Sequence, residues 1–451
     1  MSVFRAYDIR GVYPSELDEN LAYKIGLAFG KFLGDGKVAV GMDVRKSSPS
    51  LKASVVRGLL ESGSNVTDVG MVPTPLLYFA VARKKMNAGA MVTGSHNPKE
   101  YNGIKLCGEN GVCLSYETGI GEIERLVKEG VESGGSRGDL EEKDIEEDYI
   151  EFVLGKVKFE KPLRIVIDAG NGIAGKVSSE LFRRLGCEVI ELYCEPDGDF
   201  PNHHPDPLIK ETLRDLQAKV LEAKANVGIA FDGDGDRVGF VDEKGQVFPD
   251  NKAFALIIKN VLEKHRGAKI LYEVLCSKLV EDVIREMGGI PILSRVGHSY
   301  IQKTMFDENC LLGGETSGHY YFKENFSYDD GIFAAVKLAE LLSRSDKTIS
   351  EMGKELPSYM TSDDTRIYCP DDKKFRVVEN LKERFRKEGH KIVTLDGVKV
   401  IFEDKNSWFI VRASNTQPAL VLRWEAKDKE EFERVGNFVK KEVGKEIKAI
   451  S

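Results

Sequence analysis

Three aspartates stand two residues apart in FDGDGDR (231–237), where Asp232, Asp234 and Asp236 alternate with glycines directly after the apolar run VGIAF. Carboxylates this crowded repel one another unless a cation sits among them, and a set of hard oxygen ligands suits Mg²⁺. The glycines let the backbone curl so that alternate carboxylates face one point. A calcium loop of the EF-hand type does not fit: Glu243 falls at its twelfth position, but Arg237 occupies the position that needs glycine. The plainer alternative is a solvated acidic turn, which a buried strand leading into it argues against.

A second stretch, MVTGSHNPKEYNGIK (91–105), presents Ser95 beside His96, with Lys105 further on. Taken alone, Asn97-Pro98 reads as a turn and Ser95 as a helix cap. Serine is a weak nucleophile and needs an acid/base or metal partner. Together with the aspartate loop it reads as a metal-facing phosphoserine site. Phosphate on Ser95 would add about −2 charge, for the cation and Arg237 to offset. LGGETSGHYYF (312–322) presents Glu315, Ser317 and His319 from a glycine-rich turn, groups suited to sugar hydroxyls. VRASNTQPALVLRWEA (411–426) places Arg412, Ser414, Asn415 and Thr416 after a strand. A guanidinium, two hydroxyls, an amide and loop N–H groups make a phosphate cradle. Each of these two loops, by itself, also reads as an ordinary turn.

Elements able to bring the loops together come from an internal repeat. The run KVAVGMD (37–43) precedes a helical pattern with Val55, Val56, Leu59 and Leu60 on one face, stopped at Gly63. Strand NVTDVG, a helix over roughly 75–86 and strand GAMVTG follow, ending at Ser95. The second copy runs RIVIDAG, a helix stopped by Gly186, CEVIEL, a helix over roughly 208–225, and VGIAFDGDGD. The third runs KILYEV, a helix stopped by Gly288, IPILSRVG, a helix over roughly 299–308, and CLLGGETSGH. Ligands in α/β sheets gather beyond the carboxyl ends of strands, so three such loops can share one cleft. Segment 129–148, Gly/Ser-rich and then acidic, reads as a solvated linker and helix start. Beyond about residue 360 the pattern becomes strand, helix, three strands and helix, with LDGVKV and EDKNSW as hairpin turns.

The expected fold is therefore α/β: three similar mixed α/β domains in tandem plus a smaller α+β C-terminal domain. Its parts are a phosphoserine-bearing domain (1–148), a metal-binding domain (149–250), a sugar-recognition domain (251–360) and a phosphate-binding lid (361–451). A length of 451 residues is too great for one core. The net charge of −8 argues against nucleic-acid or lipid-surface binding, so an anionic substrate needs a local basic site. Seven cysteines without a C-x-x-C pair point to a reduced, cytoplasmic protein. MSVFRAYDIRG lacks the apolar core of a signal peptide, and no run is long enough to span a bilayer.

The motifs T-G-S-H-N-P, D-G-D-G-D-R, G-G-E-x-S-G-H and R-x-S-N-T-x-P, in this order, resemble those of the α-D-phosphohexomutase family. The similarity covers essentially the whole chain. It implies four domains around a deep cleft, Ser95 as the phosphoserine, and Mg²⁺ held by Asp232, Asp234, Asp236 and that phosphoserine. It also implies Glu315 and Ser317 on the O3 and O4 hydroxyls of the sugar, and Arg412 through Thr416 on the substrate phosphate. FRAYDIRG (4–11) looks like the family's N-terminal cleft segment and makes Arg10 a catalytic-site candidate. In such enzymes the serine phosphate passes to a hexose phosphate, and a hexose 1,6-bisphosphate turns over in the cleft before returning its other phosphate. RVGHSYI (295–301), with His298, and S-N-T rather than S-G-T are similar to the phosphomannomutase/phosphoglucomutase branch; phosphoglucosamine mutase is the alternative. Two departures stand out: Leu275 where related enzymes often carry a lysine that contacts phosphate, and Gln417 where glutamate is common.

Other classes explain fewer of these residues. DAGNGIAG (168–175) contains G-x-G-x-x-G with Glu191 about 20 residues on, as in a dinucleotide dehydrogenase. A phosphatase of the haloacid-dehalogenase type would take Asp232 as nucleophile and Asp329-Asp330 as its downstream acidic pair. It expects Thr or Val where Asp236 stands, and it leaves Ser95 idle. A non-catalytic sugar-phosphate binding module leaves the metal loop without a role.

Overall fold

The computed structural model describes residues 3–34, 36–133, 136–414 and 418–450. A six-stranded sheet opens the chain, in the order Ile9–Val12, Tyr101–Cys107, Ala88–Val92, Lys37–Met42, Asn65–Met71, Leu140–Glu142. Its central strands run parallel and are covered on both faces by helices, which is why AGAMV is apolar throughout and buried at every position. Helices Glu19–Leu33 and Ser48–Glu61 cross at Gly26 and Gly58. A Cβ at Gly26 would lie 2.3 Å from the Val55 carbonyl, and one at Gly58 would lie 2.3 Å from that of Tyr23. Only glycine lets the two backbones touch there.

The second sheet has the order Val247–Phe248, Val238–Asp242, Val227–Phe231, Arg164–Asp168, Glu188–Leu192. The third has the order Ile290–Ser294, Lys269–Glu273, Leu312–Gly314, Tyr320–Phe322. One feature recurs in all three. The strand that leads into a chemically loaded loop pairs antiparallel with the strand that leaves it: 88–92 with 101–107, 227–231 with 238–242, and 312–314 with 320–322. Each loop is thus a reversal at a strand's carboxyl end, held at both shoulders by ladder hydrogen bonds.

Helices stop at Gly63, Gly186 and Gly288 as expected, with φ of 98°, 84° and 74°. Three expectations need correction. After helix Asp371–Lys387 the C-terminal domain has four strands, one more than expected, because Lys391–Val393 is too short to show an alternating pattern. Within the acidic linker, Leu140–Glu142 pairs in parallel with Asn65–Met71 as an edge strand; its side chains face solvent, so composition hides a pairing made by backbone. The helix anticipated over 208–225 is broken, with a tight turn at Lys210–Leu213 and the α-helix confined to Arg214–Ala223.

One apolar core runs through the first three sheets, centred on helix Gly331–Arg344, which is buried along nearly all its length. Asp330 caps that helix through Phe333 N–H (2.8 Å) and also receives the Tyr149 hydroxyl (2.8 Å). The C-terminal sheet is antiparallel throughout. Strand Ser407–Ala413 sorts its side chains with period two: Phe409 and Val411 face helices Asp371–Lys387 and Lys429–Ile450, while Trp408 and Ile410 face Val274 and Leu275 of the third sheet's domain. Across the same joint the Lys399 ammonium lies over the Trp408 ring (3.7 Å) and donates to the Val274 carbonyl (2.7 Å). No helix among the described residues is long and apolar enough to cross a membrane.

Candidate active site

Ser95 stands three residues beyond the end of strand Ala88–Val92. It is 2% exposed and its φ is 48°, a left-handed conformation that serine rarely adopts. Its N–H donates to Thr93 Oγ1 (2.8 Å), and its hydroxyl donates to Asp232 Oδ2 (2.7 Å) with His96 Nδ1 at 3.2 Å. Burial, then the Arg237 and Arg10 charges, push His96 well below the ordinary histidine range, so the ring beside Ser95 is neutral.

The aspartate loop curls as its glycines allow, and Asp232, Asp234 and Asp236 bring carboxylate oxygens within 4.8 Å of one another at 0–1% exposure. Asp232 Oδ1 accepts the N–H groups of Gly235 (3.0 Å) and Arg237 (3.2 Å). Asp234 Oδ2 accepts Thr74 Oγ1 (2.7 Å), Thr93 Oγ1 (3.1 Å) and Lys105 Nζ (2.8 Å). Lys105 also pairs with Asp236. One ammonium therefore serves two of three buried carboxylates, and Asp234 Oδ1 and Asp236 Oδ1 are buried with no hydrogen-bond partner. Such a set is under-neutralised, and burial together with Asp236 and Asp234 pushes the Asp232 carboxyl well above the usual range. Burial would raise Asp236 as well, but Lys105 and His319 outweigh it and hold that carboxyl well down. Hard, all-oxygen and short of positive charge, the cluster fits a divalent cation of the Mg²⁺ kind.

From the third sheet, Ser317 Oγ meets His319 Nδ1 (2.8 Å), while Arg237 Nε donates to His319 Nε2 (3.3 Å). Glu315 is 5% exposed and accepts the Tyr321 hydroxyl (2.5 Å). His298 lies 3.6 Å from Asp329 and 3.4 Å from the Tyr7 carbonyl; burial lowers its proton affinity, but Asp329 raises it further, for a net upward shift. Arg10 pairs with Asp8, and its Nε is buried without a partner. In the C-terminal domain Arg412 Nη2 pairs with Asp396 (2.7 Å), its Nε is buried and unpartnered, and Ser414 N–H donates to the Ala419 carbonyl (2.9 Å). Asn415 and Thr416 lie outside the described residues. Tyr7 feels the charges of Asp396, Arg412, Arg295 and Glu315, so the N-terminal segment, the third domain and the cradle border one space.

The fold gathers Ser95, His96, Lys105, the three aspartates, Arg237 and His319 into one connected set. Leu275 joins the apolar joint with Val274, Trp408 and Ile410. Several cleft residues have no role in the mutase reading of the sequence, Asp329 entering only under the phosphatase reading. Asp329 is 1% exposed, has no hydrogen-bond partner on either oxygen, and lies 3.9 Å from His319 as well as beside His298. Tyr7, Thr74, Thr93 and Asp396 are the others. Three of these carried a signal: Tyr7 inside FRAYDIRG, Thr93 inside T-G-S-H-N-P, and Asp329 in an acidic pair just before a buried helix.

The glycines of DAGNGIAG are filled by the protein's own chain. A Cβ at Gly172 would lie 2.8 Å from the Gly233 carbonyl, and one at Gly175 would lie 2.6 Å from that of Cys194. Gly172 packs against the aspartate loop and Gly175 against the chain at Cys194, which leaves no cradle for a dinucleotide pyrophosphate.

Comparison with known proteins agrees with this geometry. Four family models match in order: phosphoglucomutase/phosphomannomutase α/β/α domain I over residues 1–133, domain II over 147–245, domain III over 249–359 and the C-terminal domain over 365–442. The chain belongs to the phosphoglucomutase/phosphomannomutase family, the α-D-phosphohexomutases. It is an enzyme of that class, a phosphohexomutase, and the phosphatase reading built on Asp232 falls away. It is 43% identical to a phosphomannomutase/phosphoglucomutase of Pseudomonas aeruginosa, over 96% of this chain and 94% of that one. A phosphoglucomutase of Neisseria gonorrhoeae is 41% identical over 97% and 96% of the two chains. A crystal structure of a phosphoglucomutase/phosphomannomutase family protein from Burkholderia thailandensis superposes with a TM-score of 0.92 at 35% identity, covering 99% of this chain and 97% of that one.

Proposed function

We propose that this enzyme interconverts the 1-phosphates and 6-phosphates of mannose and glucose, with Ser95 as the phosphate carrier. The observation that carries the reading is the Ser95 hydroxyl, buried and hydrogen-bonded to Asp232 at the edge of an under-neutralised carboxylate cluster. Asp232, Asp234 and Asp236, with the phosphate on Ser95, would hold Mg²⁺. Bound there, the ion supplies positive charge to the phosphoryl group in transfer.

A sugar hydroxyl oxygen attacks the phosphorus, its proton leaves to a base in the cleft, and the bond from phosphorus to Ser95 Oγ breaks. Hexose 1,6-bisphosphate results; turned end for end, it returns its other phosphate to Ser95. Arg237 and Lys105, both set on the aspartate cluster, orient and offset the negative charge. Glu315 and Ser317 grip sugar hydroxyls, and Arg412, with Ser414 and the loop after it, holds the phosphate that is not reacting. A cytoplasmic setting belongs to the same reading, and seven buried free thiols suit it.

Intact-mass and peptide mapping of the purified protein tests the carrier: phosphate on Ser95 supports it, and phosphate on Asp232 sinks it. A kcat/KM for glucosamine phosphate well above those for mannose and glucose phosphates would move the enzyme to the glucosamine branch.

A further inference from the structure

Beneath the Ser95 loop lies a residue that motif reasoning passes over. Arg45 is completely buried, with its side chain 0% exposed, and all five of its N–H donors are used. Nη1 donates to the carbonyls of Pro98 (2.6 Å) and Tyr101 (3.0 Å), and Nη2 to those of Ser95 (2.8 Å) and Asn97 (2.6 Å). Nε donates to Asp43 Oδ2 (3.1 Å). Four carbonyls within one short loop are thereby turned inward onto a single plane, which leaves the Ser95 side chain to project the other way, toward Asp232.

Asp43 fastens the near end of the same loop. It accepts the Gly94 N–H (3.0 Å) and the Thr93 hydroxyl (2.9 Å), and Thr93 in turn receives the Ser95 N–H (2.8 Å). The fit leaves no slack: a Cβ at Gly94 would lie 2.4 Å from Arg45 Nε. On its outer side the guanidinium meets the Phe200 ring of the second domain (5.1 Å), whose neighbour Asp199 pairs with Lys46.

We propose that Arg45 is a positioning residue for phosphoryl transfer, holding Ser95 in its left-handed conformation so that Oγ stays aimed at the aspartate cluster through both half-reactions. The inference rests on Ser95 as the carrier. A fold needs only that this buried cation be paired; it does not need one side chain to bind four carbonyls of the nucleophile's own loop. Reaction geometry does need it, since a displacement of about 1 Å at a reacting atom can cost 10²-fold in rate. Lysine cannot substitute, because three donors on a point charge cannot reach five acceptors spread around a plane.

The test is Arg45→Lys, with wild type as control. Both proteins are charged at Ser95 with labelled glucose 1,6-bisphosphate and mixed with glucose 1-phosphate in a rapid-quench single turnover. The variant should transfer label at least about tenfold more slowly per phosphorylated molecule, with its KM for glucose 1-phosphate within about twofold of wild type. Transfer at the wild-type rate by folded Arg45→Lys, however much its unfolding temperature drops, would overturn the proposal and leave Arg45 a structural residue. Should Arg45→Lys fail to fold, Phe200→Leu decides: it keeps the arginine but removes the ring that backs it. A transfer rate about threefold lower at unchanged KM supports the proposal, and an unchanged rate overturns it. Failure of wild type to take label on Ser95 would instead strike the carrier assignment itself.

Discussion

The aspartate loop and the Arg412 cradle are built on opposite plans. At the loop, backbone closes on backbone: a Cβ at Gly233 would lie 2.5 Å from the Ser95 carbonyl, and one at Gly235, whose φ is 77°, would lie 2.9 Å from Ala174 Cβ. Its three carboxylates are sealed and wait only for positive charge. At the cradle, Arg412 and Asp396 keep side-chain exposures of 17% and 21%, in a domain joined to the third by a small apolar patch, the Lys399 bond to Val274 and the Lys278 N–H bond to Glu425 (2.8 Å). The carboxylate cluster is thus prebuilt between the first two domains, while the proposed phosphate cradle sits on a more open part. If the proposed bisphosphate binds in two orientations, this division would serve it, because the reacting end would stay fixed while the far end is gripped and released.

The comparison breaks most sharply at Ser95. Ser95→Ala should lower mutase turnover by at least about 10⁴-fold, since the carrier itself is removed. Its unfolding temperature should stay within a few degrees of wild type, because a lost loop hydroxyl costs about 1 kcal/mol or less. Coupled mutase assays and thermal unfolding check both halves; substantial residual turnover would place the carrier elsewhere.

Next in size is the metal. Chelation with EDTA should abolish activity and Mg²⁺ should restore it, while Asp234→Asn should lose about 10³-fold in rate along with Mg²⁺ affinity. Full activity after exhaustive chelation would mean that Lys105 alone balances the cluster.

A smaller effect, of a different kind, belongs to the cradle. Arg412→Ala removes a charge-assisted contact, with a cost near the low end of about 2–5 kcal/mol because the side chain is not fully desolvated. That cost should appear chiefly in KM, and the variant should depend more on added glucose 1,6-bisphosphate, since a loosely held intermediate escapes before turning. Unchanged KM and unchanged activator dependence would show that the phosphate is held by another group. Such a result would erase the contrast between fixed and adjustable halves.

The smallest difference should be between substrates. Mannose and glucose phosphates differ at C2, and Glu315 and Ser317 are expected on hydroxyls remote from it, so the two kcat/KM values should agree within about tenfold. A wider gap would reveal a C2 contact in the cleft.

Much of this molecule is legible in the order of its residues. Strand-helix repeats, glycines at helix ends and glycine-spaced aspartates act over a few residues, where backbone sterics and like-charge repulsion operate without help from the rest of the chain. Hence the clustering of the three aspartates and the four-part fold could be anticipated. What local pattern cannot carry is contact across domains. Asp329 acquires meaning only when folding sets it beside His298 and His319, and Arg45 only when the carbonyls of residues 95–101 wrap around it. The edge strand Leu140–Glu142 was hidden because pairing is made by backbone, which leaves no mark on side-chain composition. Sequence determined which groups could react; burial decided their charge, and tertiary packing decided which of them meet, because both depend on neighbours more than a hundred residues away in the chain.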